Sequence, residues 1–319
     1  MIYKTETLKK NNQNILLVAK KIKAGDIVAL PTETVYGLAG RFDNDLTIKK
    51  IFSIKSRPLS NPLIIHYGSI ENALDDIYID SRAKILAEKF WPGPLTIVAK
   101  AKNKHISKIA TSGLDTVAVR VPSNKVALAV LNHFNLPFAA PSANRYGKIS
   151  PTCAKDVFEE LNGKVTTILN GGNTKVGIES TVIDISNKKT KILRHGGISE
   201  ESINKLLKIH KKEINITVRS PGLSNSHYKP DKPIRINATC PREGEAWLAF
   251  GKKPDYFYGV SLTLSEKKCL DESAKNLYKM LRLLDKKNVR SIAIQKIPKK
   301  GIGLAINDRL RRAAFTKDK

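Results

Sequence analysis

Two repeating patterns of apolar side chains run along the first two thirds of the chain. Residues 12–24 carry an apolar helical stripe that ends at Gly25, whereas residues 27–30 form a continuous apolar run of strand length. The two patterns predict helices at 12–24, 44–55, 81–90, 124–134 and 199–210, and strands at 27–30, 63–66, 95–99, 117–121, 137–140, 166–169, 181–185 and 191–193. Because helices and strands alternate, we expect an α/β domain with a mixed sheet.

Two serines carry the signals of a helix start. Ser150 is followed by Pro151, and proline is favoured at the first helical position after an N-cap serine. Ser199 is followed by Glu200 and Glu201, and the helix dipole favours acidic side chains in the first turn. We therefore expect both serines to cap helices.

The alternation breaks after residue 212. Residues 220–230 are rich in turn-forming residues and have no periodicity, which is typical of a linker or a functional loop. The alternation then resumes, with strands predicted at 247–250, 260–264 and 291–295 and helices at 273–286 and 304–314. The sequence thus predicts a domain at 1–212, a linker at 213–232 and a smaller α/β domain at 233–319.

The composition excludes several classes of protein. With 41% hydrophobic residues, the 319-residue chain is typical of a globular protein. No apolar run approaches the ~20 residues that span a bilayer, and the first residues lack the apolar stretch of a signal peptide. The three cysteines are far apart and form no CxxC, so neither a disulfide framework nor a zinc site is expected. We expect a cytoplasmic protein without membrane contact and without a metal held by protein ligands.

The chain is strongly basic, with a formal net charge of +27. A basic surface raises the local concentration of polyanions such as ATP or RNA. The lysines are scattered rather than gathered in one arm, and abundant Lys, Asn and Ile are also typical of proteins from AT-rich genomes. The charge alone therefore leaves contact with nucleic acid open.

Neither the phosphate-loop motif GxxxxGK[ST] nor the dinucleotide motif GxGxxG occurs in the chain, so a nucleotide would have to be bound by another design. The first candidate binding segment is 31–38. It follows the predicted buried strand, and polar groups at the end of a strand line the crevice where α/β sheets bind ligands. Thr32, Glu33 and Thr34 offer hydroxyl and carboxylate groups, and Gly37 permits close approach of the backbone. The alternative is an ordinary strand-to-helix turn.

Two further segments carry polar side chains at positions i and i+2. Lys55 and Arg57 precede a stretch stiffened by two prolines, and in an extended backbone both cations would face one phosphate chain. Ser142 and Asn144 are short polar groups that suit phosphate oxygens or a metal-bound phosphate. Either pair, taken alone, is also typical of a turn.

Two glycine-rich segments are weaker signals. Residues 170–181 form a loop that leads into a predicted strand, and residues 194–197 place an arginine before His-Gly-Gly. A lone histidine such as His66 or His195 is more often structural than catalytic. Neither segment indicates a function by itself.

Seven short segments, each unspecific by itself, together form a pattern that is specific for one protein family. TETVYGL, KSRP…NPLI, WPGPLT, VAVRVP, PSAN, GIESTV and RHG occur in this order, and over residues 8–210 the chain resembles the YrdC-domain family, the threonylcarbamoyl-AMP synthases. The SPG…HYKP segment resembles the two-domain branch of that family, although the region after it is shorter than expected there. The resemblance implies a YrdC-like domain with a twisted mixed sheet and flanking helices, followed by a smaller Rossmann-like α/β domain.

The resemblance implies an enzyme that joins L-threonine, bicarbonate and ATP to give threonylcarbamoyl-AMP and pyrophosphate. The product would serve threonylcarbamoyladenosine modification of tRNA next to the anticodon, through a tRNA threonylcarbamoyl transferase. The N-carboxylate of threonine is already anionic, so its attack on the α-phosphorus needs positioning and charge neutralisation more than a strong base. Magnesium is expected to arrive with ATP, held mainly by the triphosphate.

The resemblance also implies a role for each matching residue. Lys55 and Arg57 would be catalytic through their charge. L-threonine would be held by Thr34, His66, Arg120, Ala140 and Ser180. ATP would be held by Arg57, Asn61, Ser142, Asn144, Ser150, Arg194 and Tyr228. Tyr228, in the linker, would fold over the nucleotide as a lid.

Two other functions fit part of the pattern. The charge favours a basic RNA-binding or ribosome-assembly module, but no RNP-type aromatic motif occurs and aromatic residues make up only 6%. A related domain also occurs in carbamoyltransferases of hydrogenase maturation, which use carbamoyl phosphate. Those proteins carry cysteine-rich zinc motifs that this chain lacks.

Overall fold

The larger of two sheets contains ten strands. A computed structural model describes residues 4–208, 227–253 and 259–315. The ten strands are β1 (Glu6–Lys9), β2 (Val28–Pro31), β3 (Tyr36–Arg41), β4 (Ile64–His66), β5 (Leu95–Lys100), β6 (Thr116–Arg120), β7 (Phe138–Ala139), β8 (Thr167–Asn170), β9 (Thr181–Asp184) and β10 (Lys191–Arg194). Their order is β1-β8-β2-β3-β7-β4-β6-β5-β9-β10. Parallel and antiparallel neighbours both occur, so the predicted mixed sheet is confirmed.

Helices cover both faces of this sheet. They are α1 (Asn12–Lys23), α2 (Asp45–Lys55), α3 (Ile70–Asp75), α4 (Ser81–Phe90), α5 (Lys125–His133), α6 (Ala154–Leu161) and α7 (Glu200–Leu207). Val28 and Leu30 pack in the cluster under α1 and α5, whereas Ala29 packs in the cluster on the opposite face. Successive side chains of a strand point to opposite faces, and here both faces are buried, which explains the continuous apolar run.

The second sheet has four strands, β11 (Ile234–Ala238), β12 (Glu245–Ala249), β13 (Ser261–Thr263) and β14 (Ser291–Gln295), in the order β11-β14-β12-β13. All its neighbouring strands are parallel. Helix α8 (Leu270–Asp285) connects β13 to β14, and α9 (Gly303–Ala313) follows. Parallel strands require such crossover connections, so the predicted Rossmann-like unit is confirmed.

The two sheets share buried apolar surface. The core beside α8 contains Val35, Ile149 and Ile178 from the first part of the chain together with Leu277 of α8. The two units are therefore packed together through side chains, not joined only by the linker. Residues 209–226, which include most of the predicted linker, lie outside the described residues, and the proposed boundaries stay a prediction.

Four elements were not predicted: β1, β3, α3 and β11. Strand β3 reads Tyr-Gly-Leu-Ala-Gly-Arg, in which glycines hide the apolar pattern, and it pairs antiparallel with β2 after the turn at residues 32–35. The alternative interpretation of residues 31–38 as a strand-to-helix turn is therefore wrong, because the turn leads into a second strand. No helix in the described part of the chain is both long and apolar enough to cross a membrane.

Of the two predicted helix caps, one is confirmed. The Ser199 hydroxyl accepts a hydrogen bond from the backbone N–H of Ser202 at 3.2 Å, as expected for the N-cap of α7. That helix ends at Leu207 rather than near residue 210.

The cap predicted at Ser150 is wrong. Helix α6 begins at Ala154, with Cys153 as its N-cap residue. The Ser150 hydroxyl instead donates to Glu179 Oε1 at 2.6 Å. A buried carboxylate needs hydrogen-bond donors, and this demand comes from a residue 29 positions away that local sequence does not reveal.

Candidate active site

A cleft of about 580 Å³ lies on the larger sheet, beside the junction of the two units. Nine of the predicted site residues line it: Thr34, Arg57, His66, Arg120, Ala140, Ser142, Ser180, Arg194 and Tyr228. Four do not reach its surface and lie behind the lining: Lys55, Asn61, Asn144 and Ser150. The structure thus brings together segments spread over nearly two hundred residues.

One end of the cleft is organised by Arg120, the last residue of β6. Its Nη2 donates to Glu33 Oε1 at 2.5 Å and to Thr34 Oγ1 at 3.0 Å, and its Nε donates to the Gly93 carbonyl at 3.2 Å. Both side chains of the ion pair are only 4% exposed. Glu33 also accepts from the backbone N–H of Ser123, so the guanidinium is held in one orientation. Arg120 lines the cleft in this fixed orientation.

His66 is the register partner of Arg120 on the neighbouring strand β4. Burial, and after it the charge of Arg120, lowers the pKa of His66 to about 3, so its imidazole is neutral near pH 7. The ring stacks on Phe138, with centroids 5.6 Å apart. Among the described residues its buried Nδ1 has no hydrogen-bond partner. This histidine can therefore hydrogen-bond a ligand but is a poor proton acceptor.

Ser180 and Arg194 contact each other in the lining of the cleft. The hydroxyls of Ser180 and Thr96 are 2.7 Å apart. Arg194 Nη2 donates to the Ser180 hydroxyl at 3.1 Å and to its carbonyl at 3.0 Å. A cation and a hydroxyl are thus presented together beside strand β9.

Arg57 is held by its own loop. Its Nε and Nη2 donate to the backbone carbonyl and the side-chain oxygen of Asn61 at 3.0 and 2.7 Å, and Nη2 also reaches the Pro62 carbonyl at 2.9 Å. Burial lowers the pKa of Arg57 to about 10, which still leaves the guanidinium charged near pH 7. Asn61 therefore orients Arg57 rather than lining the cleft itself.

The extended conformation predicted for Lys55–Arg57 is wrong. Lys55 is the last residue of α2, and Ser56 has the left-handed backbone conformation, with φ at 52°. The Lys55 ammonium donates to the carbonyls of Ser142 and Asn144 at 2.5 and 2.7 Å. Burial, followed by the nearby charge of Arg57, lowers the pKa of Lys55 well below its usual value. Lys55 thus holds the Pro-Ser-Ala-Asn segment against the end of α2.

Asn144 is fully buried within that segment. Its Nδ2 donates to the carbonyls of Arg145 and Lys148 at 2.8 and 2.9 Å, which closes the following turn. Its Oδ1 has no hydrogen-bond partner within the described residues. Only Ser142 of the predicted pair lines the cleft.

Glu179 and His227 also line the cleft, although neither is among the predicted site residues. Both occur in quoted segments, GIESTV and HYKP, so the segments were found but not these side chains. Burial, together with the cations around it, lowers the pKa of His227 to about 3. Its ring centroid lies 4.1 Å from that of Tyr228, which is itself 1% exposed and has a left-handed φ of 62°.

The cleft is electropositive. Arg57, Arg120 and Arg194 line it, and Glu179 is the carboxylate among its lining residues. Arginine forks suit phosphate and carboxylate oxygens. No group of three or more His, Cys, Asp or Glu side chains in residues 4–208, 227–253 and 259–315 could hold a metal ion. The arrangement suits a small anionic ligand and offers no protein cage for a cation.

The fold and this cleft define an α/β protein with an arginine-rich site for a small anionic substrate. The family model described as Telomere recombination, for Sua5, YciO and YrdC proteins, matches residues 20–196. The model described as Threonylcarbamoyl-AMP synthase, C-terminal domain, matches residues 198–315. The chain belongs to the threonylcarbamoyl-AMP synthase family, in its two-domain form.

Sequence similarity to relatives extends over nearly the whole chain. It is 40% identical to the threonylcarbamoyl-AMP synthase of Pyrococcus abyssi, over 94% of either chain. It is 37% identical to that of Bacillus subtilis, over 97% of this chain and 95% of the relative. The crystal structure of P. abyssi Sua5 complexed with L-threonine superposes with a TM-score of 0.87 at 36% identity, covering 97% of this chain and 96% of that one.

Proposed function

We propose that this chain makes threonylcarbamoyl-AMP from L-threonine, bicarbonate and ATP, releasing pyrophosphate and water. Family membership supports this activity. The observation that carries it is the convergence of Arg57, Arg120 and Arg194 with uncharged hydrogen-bonding groups in one cleft. Such a site neutralises anions and positions them, which is what the attack of one anion on another requires.

We assign the Arg120 end of the cleft to L-threonine. A guanidinium fixed by Glu33 suits the α-carboxylate. Thr34, His66, Ala140 and Ser180 line the same cleft, and their hydroxyl, imidazole and backbone groups suit the amine and the side-chain hydroxyl. P. abyssi Sua5, which resembles this chain in fold, was crystallised with L-threonine.

We assign the Arg57 end to the triphosphate. Arg57 and Arg194 supply charge, Ser142 supplies a hydroxyl, and Tyr228 also lines the cleft. Lys55, Asn61, Asn144 and Ser150 act from behind by holding the segments that carry these groups. ATP enters as its magnesium complex, in which the phosphate oxygens are the principal ligands.

The chemistry then divides into two steps. The threonine amine attacks bicarbonate carbon, and loss of water leaves an N-carboxylate. One oxygen of this carboxylate attacks the α-phosphorus of ATP as the bond to the β-phosphate oxygen breaks and pyrophosphate leaves. The nucleophile is already an anion, so a neutral His66 is compatible with the reaction. The arginines stabilise the charge that develops on the phosphates.

The mixed anhydride formed in this way is reactive towards water. We propose that a tRNA threonylcarbamoyl transferase consumes it, with the tRNA adenosine next to the anticodon as acceptor. The net charge of +27 would favour an approach of tRNA. Cytoplasmic localisation stays a prediction.

The test is to incubate the protein with ATP, L-threonine and bicarbonate and to detect the adenylate by mass. Omission of any one substrate should abolish both the adenylate and pyrophosphate release. Pyrophosphate release that persists without threonine would contradict the proposal. A product formed from carbamoyl phosphate would favour the carbamoyltransferase, and RNA binding without turnover would favour the RNA-binding module.

A further inference from the structure

Glu179 is a buried carboxylate that both units of the molecule hold. Ser150 donates to its Oε1 at 2.6 Å. The Tyr278 hydroxyl of α8 lies 3.1 and 2.9 Å from its two oxygens, and Arg309 Nε of α9 donates to Oε2 at 3.0 Å. Two of the three donor residues therefore come from the second unit, 99 and 130 positions away in sequence.

The charge of Glu179 depends on these partners. Burial alone would raise its pKa, but the positive charges of Arg309 and Arg194 and the Ser150 hydrogen bond lower it to about 2. The carboxylate is thus ionised near pH 7. Without Arg309, Glu179 would be a buried carboxylate without its principal positively charged partner, which is strongly unfavourable.

The same two side chains hold Tyr228. Its ring stacks on that of Tyr278, with centroids 5.7 Å apart and planes 26° apart. The guanidinium carbon of Arg309 lies 5.4 Å from the centroid of the Tyr228 ring. Tyr278 and Arg309 therefore touch two residues of the cleft wall, Glu179 and Tyr228, from behind.

The segment around Glu179 is also seated on α8 through its backbone. A Cβ added to Gly177 would lie 2.4 Å from the Cα of Lys275 and 2.7 Å from the carbonyl oxygen of Ala274. Ser180, which follows Glu179 in sequence, also lines the cleft. The position of this wall is thus set by the surface of the second unit.

We infer that Tyr278 and Arg309 are positioning residues for the reaction, through which the second unit completes the substrate cleft. They fix Glu179, and with it the neighbouring Ser180, and they fix the Tyr228 ring. This inference rests on the proposed function of the cleft. It assigns to helices α8 and α9 a part in substrate binding that goes beyond packing against the first unit.

The test uses two conservative variants of the full chain, each with a matched control. Tyr278→Phe keeps the stacked ring but removes the hydroxyl from Glu179. Arg309→Lys keeps the charge but loses the fork that joins Glu179 to the His195 carbonyl. Tyr78→Phe and Arg311→Lys make the same chemical changes at exposed side chains.

We expect the KM for L-threonine or ATP to rise about 10-fold in both cleft variants, the scale of about 1.4 kcal/mol, and to stay unchanged in both controls. In a Glu179→Gln background, Tyr278→Phe should raise KM by a smaller factor than it does in the otherwise wild-type protein, because both changes act on one contact. A melting temperature that falls while both KM values stay at those of the wild type would overturn the inference. Full additivity of the two changes would overturn it as well. A wild-type protein that makes no adenylate would instead overturn the proposed function.

Discussion

At the scale of single residues, Arg57 illustrates how a side chain can be both fixed and available. Three hydrogen bonds from two of its nitrogens, to Asn61 and Pro62, align the guanidinium at the cleft wall. A preorganised cation avoids the cost of reorientation when charge develops in the transition state. Lysine, a point charge on a flexible stem, would not be aligned in this way.

Replacement of Arg57 by alanine should therefore lower turnover by ~10²-fold or more, the usual scale for loss of one preorganised contact. The measurement is the rate of threonine-dependent pyrophosphate release at saturating substrates. Arg242→Ala is the control, because this arginine is exposed and belongs to the second unit. Adenylate formation at the wild-type rate by Arg57→Ala would show that the assignment is wrong.

At the scale of elements, loops rather than helices or strands carry most of the cleft. The loop between β8 and β9 contains two glycines with left-handed backbone, Gly172 with φ at 87° and Gly177 with φ at 82°. An added methyl group at Gly172 would meet nothing within 4 Å, whereas at Gly177 it would meet the backbone of α8. The two positions have similar positive φ values and differ in the packing that an added methyl group would meet.

This pair gives a matched stability test. Gly172→Ala should lower the free energy of unfolding by about 1 kcal/mol, because alanine disfavours a positive φ. Gly177→Ala should cost about 1–3 kcal/mol more, because the backbone of α8 cannot yield as a flexible side chain would. Denaturant unfolding of the two variants measures the difference, and equal losses would contradict the close contact with α8.

At the scale of the whole molecule, buried ionisable groups determine how stability depends on pH. Burial holds the pKa of His66 and of His227 at about 3, below the ordinary value of 6.5. Below about pH 6.5 the unfolded chain binds a proton at each site, whereas the folded protein does not until about pH 3. Acidification through this window therefore favours unfolding. Glu179 adds a lower window, since its stabilisation is complete above pH 4.5 and is lost towards pH 2.

The expected result is a free energy of unfolding that falls by about 1.4 kcal/mol per pH unit for each buried histidine between pH 6 and pH 4. The His66→Asn variant should show a slope smaller by that amount, measured by urea unfolding at several pH values. Parallel curves for the variant and the wild type would contradict a neutral, buried His66. The effect of His66→Asn on adenylate formation is measured separately.

Several elements could be predicted because their information is local. The alternation of apolar runs and helical stripes indicates which faces are buried, and that alone predicts α/β architecture. Strand β3 was not predicted because its glycines carry no apolar signal. The cap predicted at Ser150 was wrong because the Ser150 hydroxyl donates to the distant carboxylate of Glu179. Local patterns report burial, not the identity of a remote hydrogen-bond partner.

The sequence by itself determined the fold class, the order of the family segments and nine of the residues that line the cleft. Only the tertiary structure decided that Lys55 bonds carbonyls 87 and 89 positions away, and that Glu179 depends on Arg309, 130 positions away. The reason is physical. A motif specifies which groups a segment carries, but the path of the chain decides which groups meet and which are turned away from the ligand.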